Sequence, residues 1–339
     1  GFLVSKNDEH FNGNIKDSKN QLKFISNFSG SFGYALILKK KNYLFVDGRY
    51  SLQAKLQSGK NFKIITIPDK LPFQELRGKK LQIGFDPKLH THKELKTIFF
   101  KTCCKLLPVE NIIKKVWRSY EIENNNKFYH LPQNAIGQSH KIKIEKVIKF
   151  LKKRKIDLQF VTSSENIAWL LNIRGNDSKF VPIPNSYLVI DKNKKIILFC
   201  DLKKIDKKFQ RKFKKIRFQN ILNTQKFLEK IRYKNISIDR TTCSFYFENI
   251  LLKNNKINNF SDSIYQLKSI KSKKEIKNVI QSHIEDGAAL TKFLFWLKRN
   301  FLKKKINEID AQNKLLSFRK KNKNFKFPSF PTISGSGPN

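Results

Sequence analysis

Two segments of this sequence share one pattern, in which a strand, a Lys-rich turn and a second strand lead to an aspartate. The first runs from Tyr34 to Asp47, and the second runs from Tyr187 to Asp201 and is one residue longer. A predicted helix and a Gly-containing turn precede each segment. Apolar runs around a polar turn predict hairpins, so we interpret the pair as an internal duplication of one α/β domain. Because hairpins are common, chance similarity is the alternative.

The residues around the two hairpins predict further strands and helices. In the first half, these are strands at Phe2–Val4, Phe62–Ile67 and Leu81–Phe85 and a helix from His92 to Leu106. In the second half, they are a helix at Ile142–Leu151, a strand at Leu158–Val161 and a helix ending at Leu171. Thr162 and Glu165 have the spacing of a capping box that would start this last helix.

The stretch from Ser272 to Trp296 predicts one long helix. Ser272 and Glu275 have capping-box spacing, and apolar residues then recur at helical spacing for about seven turns. We interpret this helix as the first element of a new domain, and the alternative is an internal helix of one large domain. A second helix is predicted from Glu308, and an extended strand that breaks into a loop is predicted from Phe327.

Together these elements predict an α/β fold in three parts. Residues 1–120 and 121–265 form two related α/β domains, and residues 266–339 begin a third domain. A chain of 339 residues is too long for one compact core, and 39% hydrophobic residues with 30 Phe supply ample apolar surface. No apolar run approaches the roughly 18 residues of a membrane span. The absence of Met and the first residue, Gly1, predict a fragment of a longer protein.

The net charge of +43 raises the possibility of a nucleic-acid partner. Only 11 of the 70 basic residues are Arg, although guanidinium groups are favoured for phosphate and base contacts. The densest basic cluster, Lys203 to Lys215, has apolar Ile205, Phe209 and Phe213 at four-residue spacing. This spacing predicts the solvated face of an amphipathic helix. We therefore expect only non-specific binding of nucleic acid.

Three residues at the end of the first hairpin are the best candidates for a role in a binding site. Asp47, Arg49 and Tyr50 lie where a strand ends and a helix begins. The alternative is structural: Arg49 pairs with Asp47 or with a helix end, and Tyr50 belongs to the core. Asp8 and His10, in a polar loop after the first strand, are further candidates with the same two interpretations.

The histidines and cysteines predict no metal site. The cysteines contain no CxxC pair, so a reducing compartment is the default expectation; they are Cys103, Cys104, Cys200 and Cys243. His90 and His92 are the histidines closest to the adjacent pair Cys103 and Cys104, and this arrangement lacks the ligand spacing of structural zinc sites.

Several motifs resemble the aminopeptidase P branch of the creatinase/prolidase "pita-bread" metallopeptidase family. They occur in the family's order and spacing along essentially the whole chain. These motifs are DEH from Asp8, FSGSFG from Phe28, YLFVDGRYSLQA from Tyr43, ENIAWLLNIRGND from Glu165, the stretch Ile270–Leu297, and FPTISGSGPN from Phe330.

The resemblance implies two creatinase-N-type α/β domains followed by the start of an α+β pita-bread catalytic domain. It implies a cytoplasmic, homodimeric, metal-dependent Xaa-Pro aminopeptidase that releases the N-terminal residue from short peptides with proline second. The family's two divalent metal ions, expected to be Mn²⁺, would be bound by residues beyond Asn339, so we expect this chain alone to be inactive. Asp47, Arg49 and Tyr50 would border the substrate cleft, across the dimer. The alternative function is a non-catalytic pita-bread-family binding protein with a basic surface for a protein or nucleic-acid partner.

Overall fold

The computed structural model describes residues 1–117, 126–303 and 305–337. The predicted boundary between residues 120 and 121 lies outside the described residues. We name residues 1–117 the first unit and residues 126–269 the second unit. The first unit contains these elements: β1 Phe2–Ser5, α1 Gln21–Ser26, β2 Gly33–Ile37, β3 Asn42–Asp47, α2 Ser51–Ser58, β4 Lys63–Ile67, α3 Pro72–Leu76, β5 Gln82–Phe85, α4 His92–Ile98, β6 Lys105–Pro108 and α5 Ile113–Val116.

The strands of the first unit form one sheet in the order β4-β3-β2-β1-β5-β6. Strand β2 pairs antiparallel with β1 and β3, whereas the other neighbouring pairs are parallel. Helices cover both faces, because Phe45 packs in a cluster with Leu95 of α4 while Leu44 packs in one with Leu22 of α1 and Ala54 of α2. Burial on both faces explains why the strands read as continuous apolar runs.

The second unit repeats this plan. Its elements are β7 Tyr129–His130, α6 His140–Lys153, β8 Leu158–Val161, α7 Ser164–Leu171, β9 Ile173–Arg174, β10 Ser186–Asp191, β11 Ile196–Cys200, α8 Lys207–Arg211, β12 Ile216–Asn220, α9 Thr224–Leu228, β13 Asn235–Ile238, α10 Phe245–Leu252, β14 Lys256–Asn259 and α11 Ser263–Ser269. Strands β7 and β9 pair with each other, and the remaining six form one sheet.

The second six-stranded sheet has the order β12-β11-β10-β8-β13-β14. When the strands are numbered within each sheet in chain order, both sheets read 4-3-2-1-5-6. The parallel and antiparallel pairs also occur at the same places in both sheets. This shared topology confirms the internal duplication that the two hairpins predict.

Two helices follow the second unit: α12 Lys273–Asn300 and α13 Glu308–Arg319. The predicted capping box at Ser272 and Glu275 is present. Within the described residues of this region, Ala289 is the one buried residue of α12. The extended strand predicted from Phe327 is wrong, because residues 320–337 contain turns and bends and no strand. Among the described residues, no helix has both the length and the hydropathy that crossing a membrane requires.

The helix predicted from His92 to Leu106 is too long. Helix α4 ends at Ile98, and the chain then reverses through Lys101, whose φ is +57°. Leu106 lies in β6, where it pairs with Ile83 of β5. Pairing at the sheet edge therefore overrides the local helical pattern.

The capping box predicted at Thr162 and Glu165 is also wrong. Helix α7 begins one residue later, and the Ser163 side chain accepts from the Asn166 backbone N–H. The Thr162 hydroxyl bonds instead to the hydroxyl of Thr242, at 2.9 Å. Because serine and threonine are both good N-caps, the tertiary contact decides which of the two starts the helix.

The amphipathic helix predicted for Lys203 to Lys215 is broken. Asp206 caps the five-residue helix α8, which leaves the preceding residues in a separate helical turn. The predicted apolar stripe is nonetheless buried, with Ile205, Phe209 and Phe213 in the core of the second unit.

Candidate functional site

Asp47 and Arg49 form a hydrogen-bonded ion pair at the end of β3. The Asp47 carboxylate caps the helical turn Gly48–Tyr50 by accepting from the Arg49 backbone N–H at 3.0 Å. The Arg49 guanidinium donates from Nε to Oδ1 at 3.1 Å and from its NH2 group to Oδ2 at 2.6 Å. Hydrogen bonds from Arg49 hold the pKa of the Asp47 carboxyl below its ordinary value. The pairing named in the structural alternative is therefore present.

Tyr50 connects this pair to the glycine-containing turn before β2. Its ring is partly buried, with its edge against Phe28, and its hydroxyl lies 2.5 Å from the Ser31 hydroxyl. The Arg49 guanidinium lies 5.2 Å from the Tyr50 ring centre, yet 70% of the Arg49 side chain remains exposed. The site thus presents an ordered, solvent-facing guanidinium beside a phenol. Contact of these residues with a substrate stays a prediction.

Asp8 and His10 lie elsewhere, where the first unit meets the second. The Asp8 carboxylate accepts from the backbone N–H groups of His10 and Asn12, each at 3.0 Å. The His10 ring stacks on Tyr187 of β10 at 4.8 Å. Among the described contacts, neither residue touches the Asp47–Tyr50 group. The sequence gives no sign of this position, because Tyr187 reads as an ordinary strand residue.

The turn after β9 is held by a polar pair in the second unit. Asp177 accepts from the Asn185 backbone N–H at 2.8 Å and pairs with Lys204. A Cβ atom on Gly175 would lie 2.9 Å from the Pro184 Cα atom, so the backbone approach requires glycine. These contacts describe a structural turn.

Two stretches of the chain match family models, both described as the creatinase/prolidase N-terminal domain. One covers residues 2–116 and the other residues 121–275. These stretches contain the two sheets of identical order described above. The chain belongs to the creatinase/prolidase family.

Relatives of this creatinase/prolidase chain match along its whole length. A protein from Laccaria bicolor named probable Xaa-Pro aminopeptidase P is 33% identical over 357 residues, which cover 100% of this chain and 55% of the relative. The Xaa-Pro aminopeptidase ApepP of Drosophila melanogaster is 30% identical over 366 residues and is covered to 58%. The chain thus spans little more than half the length of these curated relatives.

A solved structure shares the fold. The X-prolyl aminopeptidase of Caenorhabditis elegans superimposes with a TM-score of 0.90 over 98% of this chain and 57% of that protein, at 24% identity. It is described as a cytosolic enzyme with a di-nuclear active site.

The described part of this creatinase/prolidase chain holds no group suited to a di-nuclear site. Within residues 1–117, 126–303 and 305–337, no three His, Cys, Asp or Glu side chains gather as metal ligands would. His90 bonds through Nδ1 to Glu94 at 3.1 Å, and His92 bonds through Nε2 to Asn249 at 3.0 Å. These residues therefore do not fit a pair of metal ions.

Sequence reasoning missed one polar cluster, which joins the second unit to α12. Lys143 of α6 is only 2% exposed. Its Nζ atom donates to the Trp169 carbonyl at 2.8 Å and to the Asn172 side chain at 2.6 Å. The same atom lies 4.0 Å from the centre of the Trp169 ring. Burial lowers the pKa of Lys143 to about 8, against the opposing attraction of Glu275. The sequence does indicate that Lys143 is buried, since it lies beside Ile144 in the buried stripe of α6.

The start of α12 sits against the same region of the second unit. A Cβ atom on Gly137 would lie 2.9 Å from Glu275 Oε2, so the two chain segments approach closely. Lys274 and Asn278 of α12 donate to the carbonyls of Gln133 and Asn134. The long helix is therefore anchored at its first turns by contacts with the second unit.

Proposed function

We propose that this chain is the N-terminal part of a metal-dependent Xaa-Pro aminopeptidase, which releases the first residue of peptides with proline second. The observation that carries the proposal is the end-to-end similarity to proteins named Xaa-Pro aminopeptidase P, at 33% identity over the entire chain. The X-Pro bond is a tertiary amide, which differs in conformation from other peptide bonds and justifies a dedicated enzyme.

The proposed division is two creatinase-like α/β domains, 1–120 and 121–265, and the beginning of the pita-bread domain, 266–339. The two sheets of identical order support the first two domains. The apolar side of α12 supports the third, since Ile276, Val279, Ile280 and Ile284 are between 47% and 60% exposed. Such a face suits further packing against the remainder of a catalytic domain.

The proposed cofactor is a pair of divalent ions, Mn²⁺, bound by residues beyond Asn339. The di-nuclear site of the Caenorhabditis elegans enzyme supports the number of ions, and Mn²⁺ suits oxygen-rich ligation. We further propose a cytoplasmic homodimer in which Asp47, Arg49 and Tyr50 of one subunit border the substrate cleft of the other. The exposed guanidinium of Arg49 supports this assignment.

The test compares two proteins: the 339-residue chain and a form extended by the reading frame after Asn339. Both are assayed on Arg-Pro-Pro with added Mn²⁺. We expect the extended form to release arginine and to lose activity with a chelator, and the 339-residue chain to be inactive. An extended form that carries the metal ligands but cleaves no X-Pro bond would refute the substrate assignment.

A non-catalytic binding role is the second candidate. The Lys203–Lys215 cluster favours it, because its apolar side chains are buried and seven of its eight basic side chains are exposed, Lys204 being the exception. This candidate requires duplex DNA or an acidic protein to bind at 150 mM salt, since purely non-specific charge contacts weaken steeply with salt. Loss of all binding at that salt concentration would leave the peptidase as the sole proposal.

A further inference from the structure

The loop after β1 makes three hydrogen bonds to the second unit. The Tyr187 hydroxyl donates to the Glu9 carbonyl at 2.8 Å, and the Asn12 amide donates to the Asn185 side chain at 3.0 Å. The Ser178 hydroxyl donates to the Asn14 carbonyl at 2.8 Å. We name this contact, between residues 8–14 and residues 177–187, the seam.

His10 lies in the seam and stacks on a buried aromatic ring. Its ring plane is 24° from that of Tyr187, which is 5% exposed and has its own edge contact with Phe247 at 5.1 Å. The Nδ1 atom of His10 is excluded from solvent and has no hydrogen-bond partner. Neutral imidazole tolerates this, because its unprotonated nitrogen is only an unpaired acceptor. Imidazolium would place an N–H donor there without an acceptor, which is costly in a buried position.

The charged groups that face His10 are already engaged. Asp8 accepts two backbone N–H groups and the Asn12 amide. Glu9 pairs with Lys19 at 3.0 Å and with Lys114 at 3.6 Å. Asp177, from the second unit, pairs with Lys204.

The balance of these influences favours the neutral ring. Burial lowers the pKa of His10 below its ordinary value, while Asp8, Glu9 and Asp177 oppose that shift and Lys19 adds to it. Above the ordinary histidine pKa of about 6.5 the closed seam therefore keeps its full stability, and it loses stability as the pH falls below that value.

We propose that His10 is a pH-sensitive latch between the two α/β units, which holds the seam closed when neutral and releases it when protonated. The contacts between the two units limit this opening to the seam, on one side of the interface. On the other side, Phe245 and Tyr246 of α10 donate backbone N–H groups to the carbonyls of His90 and Pro87, at 2.7 and 2.9 Å. Backbone hydrogen bonds do not titrate, so α10 remains attached while the seam opens.

The first measurement uses the 339-residue chain labelled with ¹³C at histidine Cε1, which gives one signal for each of six histidines. The latch requires His10 to titrate below the ordinary histidine pKa of about 6.5. A His10 titration at or above about 6.5 would overturn the proposal.

The second measurement is hydrogen exchange of residues 6–16 at pH 7.5 and pH 5.5, corrected for the intrinsic pH dependence. An exposed imidazole is about nine-tenths protonated at pH 5.5, so we expect exchange to increase about tenfold. His10→Phe, which keeps a ring on Tyr187, and His10→Gln should show no such increase, and His283→Gln should behave as the unsubstituted chain. No increase in the unsubstituted chain, or an equal increase in His10→Phe, would show that His10 is not the latch.

Discussion

Lys204 and Asp177 form an ion pair that is almost closed to solvent, with side-chain exposures of 14% and 2%. The pair joins the helical turn after β11 to the turn after β9. The second oxygen of Asp177 accepts the Asn185 N–H at 2.8 Å, so the carboxylate is satisfied on both sides. Through Asn185, this pair also supports the second unit's side of the seam.

Replacing Asp177 by Asn should destabilise the chain strongly. Asparagine can keep the acceptor for Asn185, but Lys204 is left buried without a counter-charge, which typically costs about 3–5 kcal/mol. Urea denaturation should show this loss in the free energy of unfolding. Lys208→Met, a change at an exposed position of α8, should stay within about 0.5 kcal/mol of the unsubstituted chain. Similar small effects for both variants would contradict the importance of the pair.

The two hairpins were predictable from sequence because they depend on local patterns. Each hairpin carries its own turn, and a one-residue slip in register would expose a buried face. The Ser272 capping box was predictable for the same reason, since both partners lie within one turn. Arg49 and Asp47, two residues apart, could likewise be named as a pair.

Two of the failures share one cause, which is a partner distant in sequence. Thr162 lost its predicted capping role to a contact with Thr242, and Leu106 left its predicted helix to pair with β5. His10 could be named as a candidate, but its stack on Tyr187 could not be predicted. Local spacing does not show which distant residues meet, so the contacts of the seam and the partners of Lys143 appear only in the structure.

The exposed apolar face of α12 should bind a hydrophobic dye. Ile280 and Ile284 are 56% and 60% exposed and lie one helical turn apart. We expect anilinonaphthalene sulfonate fluorescence to fall in Ile280→Lys and Ile284→Lys, with the free energy of unfolding changed by no more than about 0.5 kcal/mol. Leu222→Lys, at an 82% exposed position away from α12, is the control and should leave the dye signal unchanged. Equal dye binding in all variants would place the dye elsewhere.

Arg49→Gln should affect substrate binding without affecting stability. The Arg49 side chain is 70% exposed, so its ion pair with Asp47 contributes little to folding. If Arg49 contacts the peptide, loss of one charge-assisted hydrogen bond should raise KM about tenfold. The assay uses the extended, active form, with Lys55→Gln on the exposed side of α2 as control. An unchanged KM would leave Arg49 with its structural role alone.

Lys143→Met should change how stability depends on pH. The folded-state pKa of Lys143 is lowered from 10.5 to about 8 by burial, with Glu275 opposing the shift. Between these two pH values the unfolded chain binds more protons than the folded chain, so the contribution of Lys143 to stability increases as the pH rises from 8 to 10.5. The difference in the free energy of unfolding between the unsubstituted chain and Lys143→Met should therefore shift in favour of the unsubstituted chain across this range. Lys141→Met, at an exposed position of the same helix, should show no such trend. A pH-independent difference for Lys143→Met would mean that the amine is not buried in the folded chain.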